Sequence, residues 1–482
     1  MIPVTTFAGK SVAVFGLGGS GIATARALVA GGAIVAAWDD GDAGRAAAEK
    51  AGIPLVDLTA ADWTTFAALV LAPGVPLTHP EPHWTVHKAI AAKIEIIGDI
   101  ELFCRERNAH CPDAPFIAIT GTNGKSTTTS LIAHILRNAG MDVQMGGNIG
   151  VPILALEPPA GASGSTPERQ NKADRIYVIE MSSFQIDLTP SLNPTVGVLL
   201  NITPDHIDRH GTVENYAAVK ERLVTRSTQR VVGGDPARAM GLVARVFQFN
   251  PTGTVRPARQ VYQFKHPKHW EYQYEAGQVK RGQPPKVIAD FSDVATLRGI
   301  HNAENAAAAF AACSAIGLDD VTIAQHIRTY PGLAHRLEEI GRIGNVLLIN
   351  DSKATNADST EKALLSFPDD VYWILGGKPK EGGIEPLVPL FSRVAKAYLI
   401  GAATEEFAQT LEGHVPYARC GVLDIAVAKA VADAKKSGTP NPVVLLSPAC
   451  ASYDQFKSFE HRGDAFRALV SALPGFTPRG KA

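Results

Sequence analysis

Cysteine is scarce and scattered in this chain. The five residues Cys104, Cys111, Cys313, Cys420 and Cys450 are odd in number and form no C-x-x-C pair. A disulfide framework and a zinc site are therefore not indicated. Long apolar runs are also missing: Ala306 to Leu318 is alanine-rich and too short to span a bilayer. Charge of one sign is absent too. With 46 basic and 47 acidic residues the formal net charge is -1, which argues against a nucleic-acid or membrane-surface binder. Any anion site must then be local. Met1-Ile-Pro-Val-Thr-Thr has no charged stretch leading into an apolar core, so no secretory signal is expected. A soluble, reducing, cytoplasmic setting follows as the expectation. At 482 residues, 45% of them hydrophobic and 19% charged, the chain has globular composition and a length that suits roughly three domains.

What is present centres on Phe116 to Thr128, Phe-Ile-Ala-Ile-Thr-Gly-Thr-Asn-Gly-Lys-Ser-Thr-Thr. An apolar strand-like run leads into a turn with Gly121 and Gly124. Leu131, Ile132, Ile135 and Leu136 then recur at helical spacing. Strand, glycine turn, Lys-Ser and helix make a phosphate cradle. Backbone N–H groups and the helix N-terminus face the anion, Lys125 adds a full charge, and Ser126 offers a hydroxyl to Mg2+. The spacing is G-x-x-G-K-S, with Ile119 where the general P-loop pattern has glycine.

Residues 1–110 read as a small Rossmann-like domain. Ser11 to Phe15 is a buried-strand run, Gly16-Leu-Gly18-Gly-Ser20-Gly21 a turn into a helix, and Ala33 to Trp38 a second strand ending at Asp39-Asp40. Taken alone, this admits a dinucleotide, another nucleotide-like ligand or plain packing. Strand-then-turn recurs at Leu69 to Gly74 and at Ile94 to Asp99. Arg105 to Pro115, polar and with two prolines, suits a linker.

In the middle region, Arg175 to Glu180 and Thr195 to Thr203 read as strands, the latter followed by Pro204-Asp205-His206. Ligands of open α/β sheets lie beyond the carboxyl ends of strands. Lys125 and Ser126, Glu180, and Asp205 with His206 all stand at such ends, which favours Mg2+ beside a phosphate. Lys220 falls in the helical run Val213 to Leu223, where a solvated lysine is the ordinary reading. Residues 157–174 read as an exposed loop without chemistry. Val261 to Phe264 and Trp270 to Tyr274 read as antiparallel strands, and His301-Asn302-Ala-Glu-Asn305 opens an alanine-rich helix. From Pro331 onward, strands alternate with helices and suggest a parallel sheet. Arg336, Lys353 and Lys380 supply the local cations. Cys450 lacks an identifiable histidine partner and is not read as a nucleophile.

Taken together, Gly121-Thr-Asn-Gly-Lys-Ser-Thr, Glu180-Met-Ser-Ser-Phe-Gln, Asn201-Ile-Thr-Pro-Asp-His, His301-Asn-Ala-Glu-Asn and Asp351-Ser-Lys-Ala-Thr-Asn resemble the Mur ligases of peptidoglycan synthesis. Gly98-Asp-Ile-Glu-Leu-Phe and Leu446 to Phe456 resemble the branch that adds D-glutamate. The resemblance implies an α/β fold of three domains: a Rossmann-like UDP-sugar domain (1–112), a central P-loop ATPase-like domain (113–330) and a Rossmann-like amino-acid domain (331–482). It implies ATP, two Mg2+ ions, and the substrates UDP-N-acetylmuramoyl-L-alanine and D-glutamate, joined through an acyl phosphate by a monomer.

Residue by residue, the resemblance implies the following roles. Gly121, Thr122, Asn123, Gly124, Lys125, Ser126, Thr127, Asn302, Asn305, Arg336 and Asp351 would meet ATP. Gly18, Ser20, Asp39, Asp40, Gly74 and Asn148 would lie along the UDP substrate. His335, Thr355, Lys380, Ser452, Tyr453 and Phe459 would surround D-glutamate. Ser126, Glu180, His206 and a carbamylated Lys220 would hold metal. Lys125, His206, Lys220 and Lys353 are the implied catalytic set. Lys378 stands where relatives carry an acid, which leaves open whether Lys378 or Lys380 meets the amino acid. Residues 157–174 and 251–288 are longer than the family pattern. The competing expectations are a Mur-type ligase for another amino acid, a nicotinamide-dependent oxidoreductase using residues 11–40, and a non-catalytic nucleotide switch.

Overall fold

A computed structural model describes residues 1–158, 175–232, 260–264, 270–275, 278–281, 286–291, 293–297, 300–379 and 382–480. Lys380, most of the 157–174 loop and much of 251–288 lie outside the described residues. The chain divides into two compact units. Met1–Asp293 with Asn302–Tyr330 form the first, and Val294–His301 with Pro331–Ala482 the second. Among the described residues the strands form three sheets, two in the first unit and one in the second.

The first sheet is parallel: β1 (Ser11–Phe15), β2 (Ile34–Trp38), β3 (Ala68–Leu71) and β4 (Glu95–Ile97), in the order β2-β1-β3-β4. Alternate residues of β1 enter different cores. Val12 and Val14 join one hydrophobic cluster, Ala13 and Phe15 another. A strand covered on both faces reads as the continuous apolar run seen in the sequence. Gly21 stands in the helix Gly19–Ala30 where a Cβ would lie 1.8 Å from the Gly16 carbonyl oxygen, so the third glycine of the turn lets helix and strand close up.

The expected linker is not one. The helix Asp99–His110 runs through Arg105, because its charges are paired: Arg105 with Glu95 and Glu101, and buried Glu106 with the Thr6 amide and the Thr5 hydroxyl. Charge alone does not mark a linker when each charge has a partner.

The second sheet contains β5 (Phe116–Thr120), β6 (Val143–Gly147), β7 (Ile176–Glu180), β8 (Val196–Leu199) and β9 (Gln229–Val232), all parallel. It is extended by the antiparallel β10 (Gln260–Phe264), β11 (Trp270–Glu275), β12 (Gln278–Arg281) and β13 (Lys286–Asp290). The antiparallel expectation for 261–274 holds. The order runs β13-β12-β11-β10-β9-β8-β5-β7-β6. β5 therefore sits between β7 and β8, with connections leaving to either side, and the loops after these three strands converge at a topological switch point.

In the second unit the sheet is mixed, not parallel throughout. β15 (Val346–Asn350), β16 (Val371–Gly376), β17 (Val394–Ile400), β18 (Tyr417–Gly421) and β19 (Val443–Leu446) are parallel. β14 (Glu338–Ile343) and β20 (Phe476–Pro478) add an antiparallel edge, giving the order β18-β17-β16-β19-β15-β14-β20. The edge escaped the sequence reading because β14 is Glu-Glu-Ile-Gly-Arg-Ile, polar and glycine-broken. Replacing Gly21 with alanine should lower unfolding free energy by about 1–3 kcal/mol, since the clash is with backbone. Urea unfolding of the variant against the parent chain measures it.

Candidate active site

β5 delivers the chain to Thr120, and the next four residues turn back into the helix Lys125–Asn138. The turn is held from two sides. From the segment after β8, Asn201 accepts the Asn123 amide through Oδ1 (2.9 Å) and donates through Nδ2 to the Asn123 carbonyl (3.1 Å). Thr122 exchanges bonds with Thr203 and shares one with the Tyr216 hydroxyl at 3.1 Å. From the other side, buried Asn305 takes a bond from Thr128 at 3.2 Å and donates to buried Asn302 at 3.3 Å. Gly124 has φ +83°, and a Cβ there would lie 2.2 Å from Asn305 Oδ1. Asn305 thus reaches this segment from almost 180 residues away, with Asn302 bonded behind it. Asn201 and Tyr216 are contributors the sequence reading did not single out. Asn201 stood inside a quoted motif, and Tyr216 lies one helical turn before Lys220.

Two lysines meet at this turn. Lys125 Nζ donates to the carbonyls of Gly121 (3.0 Å) and Thr122 (2.7 Å). Lys220 Nζ, 2% exposed, donates to the same Gly121 carbonyl at 3.0 Å and to the Thr120 hydroxyl at 3.1 Å. The surface reading of Lys220 is therefore overturned. Burial first, and the Lys125 charge second, hold its pKa well below the ordinary lysine value. A buried amine with only neutral acceptors is costly to keep protonated.

Glu180 ends β7, 2% exposed. Its Oε1 accepts from Asn148 Nδ2 at 2.8 Å, and its carbonyl accepts the Asn148 amide at 2.9 Å. Its Oε2 is buried with no hydrogen-bond partner. Asn148 therefore orients this carboxylate, and an orphaned anionic oxygen is what a cation would satisfy. His206 has φ +53°, a left-handed conformation that is strained for a residue other than glycine. Burial lowers its pKa, with Lys125 and Lys220 adding to the shift against Asp205. A neutral imidazole is the ligand form. Among the described residues no three His, Cys, Asp or Glu side chains gather as a metal cluster. Mg2+ commonly takes one or two carboxylates with phosphate oxygens and water, so Glu180, Ser126 and His206 fit such an ion without one.

In the first sheet, Gly18 caps the helix Gly19–Ala30, which contains Ser20. The Asp39 carboxylate accepts the amides of Leu17 (2.6 Å) and Gly41 (2.8 Å), tying the end of β2 to the glycine turn. Asp40 faces His83 and Trp84, each nitrogen 3.1 Å from its Oδ2. Gly74 lies in the loop after β3, beside a small cleft lined by Ser20, Thr24, Pro73 and Asp99. Burial raises the Asp99 pKa to about 6.

The second unit carries the remaining expected residues. Asp351 follows β15 and is buried; it accepts from Ser447 Oγ at 2.8 Å and the Leu337 amide at 3.1 Å. Burial raises its pKa to about 7. His335, with φ +62°, meets Asn350 at 3.1 Å, and burial lowers its pKa. Arg336 Nε is buried without a hydrogen-bond partner. The Lys353 ammonium lies 5.6 Å from the Phe459 ring centre. Ser452 is buried and Tyr453 is 71% exposed, so these neighbours differ sharply.

Arg462, unremarked in the sequence, is 1% exposed. It donates to Ser352 Oγ (3.0 Å), the Ser352 carbonyl (2.9 Å) and the Cys450 carbonyl (3.1 Å), joining the loops after β15 and β19. Burial lowers its pKa to about 10. Lys378, in the loop after β16, pairs with Ala451 in the loop after β19, and Thr355 lies just past Lys353. Lys380 lies outside the described residues.

The family profile for the Mur ligase middle domain matches residues 119–313, and that for the Mur ligase, glutamate ligase domain matches 335–450. A UDP-N-acetylmuramoylalanine--D-glutamate ligase of Nitrobacter hamburgensis is 57% identical over 99% of this chain and 100% of its own. The protein of that name from Brucella suis biovar 1 is 55% identical over the whole of both chains. Among solved structures, the UDP-N-acetylmuramate-alanine ligase MurC of Thermotoga maritima has a TM-score of 0.51 at 16% identity, covering 96% of this chain and 99% of its own. MurF of Acinetobacter baumannii has a TM-score of 0.50 at 16% identity, covering 80% and 86%. Those two likenesses concern the fold, whereas the identities extend along the full sequence. The chain belongs to the Mur ligase family, among its UDP-N-acetylmuramoylalanine--D-glutamate ligases.

Proposed function

We propose that this chain joins the amine of D-glutamate to the terminal carboxylate of UDP-N-acetylmuramoyl-L-alanine, converting ATP to ADP and phosphate, in cytoplasmic assembly of peptidoglycan precursors. The substrate carboxylate attacks the γ-phosphorus, ADP leaves, and an acyl phosphate forms. The D-glutamate amine then attacks the acyl carbon, a proton leaves the nitrogen, and the tetrahedral intermediate collapses with loss of phosphate.

The observation that carries this reading is the meeting of Lys125 and Lys220 on one loop carbonyl. A carboxylate approaching a polyphosphate sets anion against anion, so positive charge must be placed before chemistry begins. Lys125 would leave the loop carbonyls for the ATP phosphates, and the amides of Gly121 to Thr127 would follow the same anion. Asn302 and Asn305 hold the turn in shape for the nucleotide. Mg2+, held by Ser126, Glu180, His206 and a carbamylated Lys220, would neutralise phosphate oxygens. The depressed pKa of Lys220 supports carbamylation, because only the neutral amine adds CO2 and Lys125 nearby would favour the anion formed. In the second unit, Arg336, Asp351 and Lys353 would serve the nucleotide and the phosphoryl group. His335, Thr355, Ser452, Phe459 and one of Lys378 and Lys380 would serve D-glutamate, with Tyr453 at the rim. Gly18, Ser20, Asp39, Asp40, Gly74 and Asn148 are proposed along the UDP substrate, Asp39 chiefly by fixing the glycine turn.

ADP release is expected with D-glutamate and not with L-alanine, L-lysine or diaminopimelate; activity confined to another amino acid overturns the specificity. Absorbance titration with NADH should show no binding. Lys125→Ala should lower kcat/KM for ATP about 10²–10³-fold, the scale of losing one preorganised charge donor. Glu180→Gln should raise the Mg2+ concentration for half-maximal rate roughly 10–100-fold. Incubation with 13C-bicarbonate should give a carbamate carbon resonance that Lys220→Arg lacks.

A further inference from the structure

Arg209 stands three residues after His206, in the short helix Ile207–His210. Its Nη1 donates to the Gly74 carbonyl at 3.0 Å and its Nη2 to the Val75 carbonyl at 2.9 Å. The guanidinium carbon lies 4.5 Å from the Phe184 ring centre, and Nε is buried with no hydrogen-bond partner. Among the described residues Arg209 has no ion-pair partner. Phe184 is gripped further: His210 stacks on it at 5.3 Å with planes 9° apart, and His206 meets it edge-on at 5.0 Å. His210 in turn bonds the Ser183 hydroxyl at 2.9 Å. One guanidinium thus ties three segments together, its own among them. They are the loop after β3, the motif that follows Glu180, and the turn that carries His206.

We propose that Arg209 and Phe184 act as a positioning clamp that sets the loop Pro73–Val75 against His206, so that the muramoyl substrate is presented to the phosphoryl-transfer site in one register. The inference rests on the ligase reading, since it takes that loop as part of the UDP-substrate site. A half-buried cation without an anion is a poor packing element; an apolar side chain would cover Phe184 at lower cost. What only arginine provides is a planar fork whose two donors fit consecutive carbonyls while its face lies on an aromatic ring. The loop carbonyls could be hydrated if the fork were lost, so the chain should still fold with the register relaxed. Reaction rate is steep in such displacement, with a shift near 1 Å costing about 100-fold.

Steady-state ADP release by Arg209→Met, Arg209→Lys and Phe184→Leu, varying each substrate separately, tests the clamp alongside binding of a fluorescent ATP analogue. Arg209→Met should raise KM for UDP-N-acetylmuramoyl-L-alanine about tenfold or more and lower kcat, with analogue affinity within about twofold of the parent. Arg209→Lys should fall between, because an ammonium can reach a carbonyl but lacks the planar face that lies on Phe184, and it decides the matter if the methionine variant does not fold. The Met/Leu double variant should lose less than the product of the single losses. An unchanged KM for the muramoyl substrate overturns the proposal, as does an equal loss of affinity for all ligands. A parent chain that releases no ADP with these substrates removes the underlying ligase reading instead, before any variant is compared.

Discussion

Two ammonium groups directed at one backbone carbonyl are an unfavourable arrangement, and the fold supports it by holding the Gly121–Lys125 turn from two sides. Lys220 is desolvated and Lys125 repels it, so the buried amine is driven toward its neutral form. The carboxylates of Asp205 and Glu180 act against this shift without cancelling it. The one oxygen of Glu180 without a partner calls for a cation of its own. On the proposed reading, a turn with positive charge beside an unsatisfied carboxylate oxygen would suit a polyanion that arrives with a metal. Asn201, Tyr216, Asn305 and Asn148 serve this arrangement by fixing backbone and carboxylate in place before a ligand appears.

The same economy of roles is seen in the first sheet. Asp39, at the end of β2, spends both carboxylate oxygens on amides of the chain, so its contribution is to shape the glycine turn. Asp40, one residue on, faces His83 and Trp84 and is the more exposed of the pair's polar contacts. In the second unit Arg462 plays the part that Asn201 plays in the first. It is a buried donor spending its bonds on loop carbonyls and one hydroxyl, and it fixes strand-end loops that carry Ser352, Cys450 and Ala451.

Local signals identified the strands and helices around each motif well, because buried parallel strands are continuous apolar runs and helices declare their period. They failed where charge was paired out of sight, as in the helix Asp99–His110. They also failed where an edge strand was polar, as in β14. Most of the residues proposed to supply chemistry stood at strand ends and could be named from type and position, Lys220 on its helix being an exception. Those that hold them, Asn201, Tyr216, Arg209, Phe184 and Arg462, carry no such signal. Each is an ordinary residue whose importance comes from a partner distant in the chain.

The sequence by itself determined the phosphate turn, the α/β character and the set of polar side chains at strand ends, since glycine spacing, apolar period and residue chemistry are local properties. Only the tertiary structure decided that Lys220 is buried against Gly121, that Asn148 serves Glu180, and that Asp39 serves its own turn. Burial and hydrogen-bond partnership depend on which distant segments the sheet order brings together, and that order is a property of the whole chain.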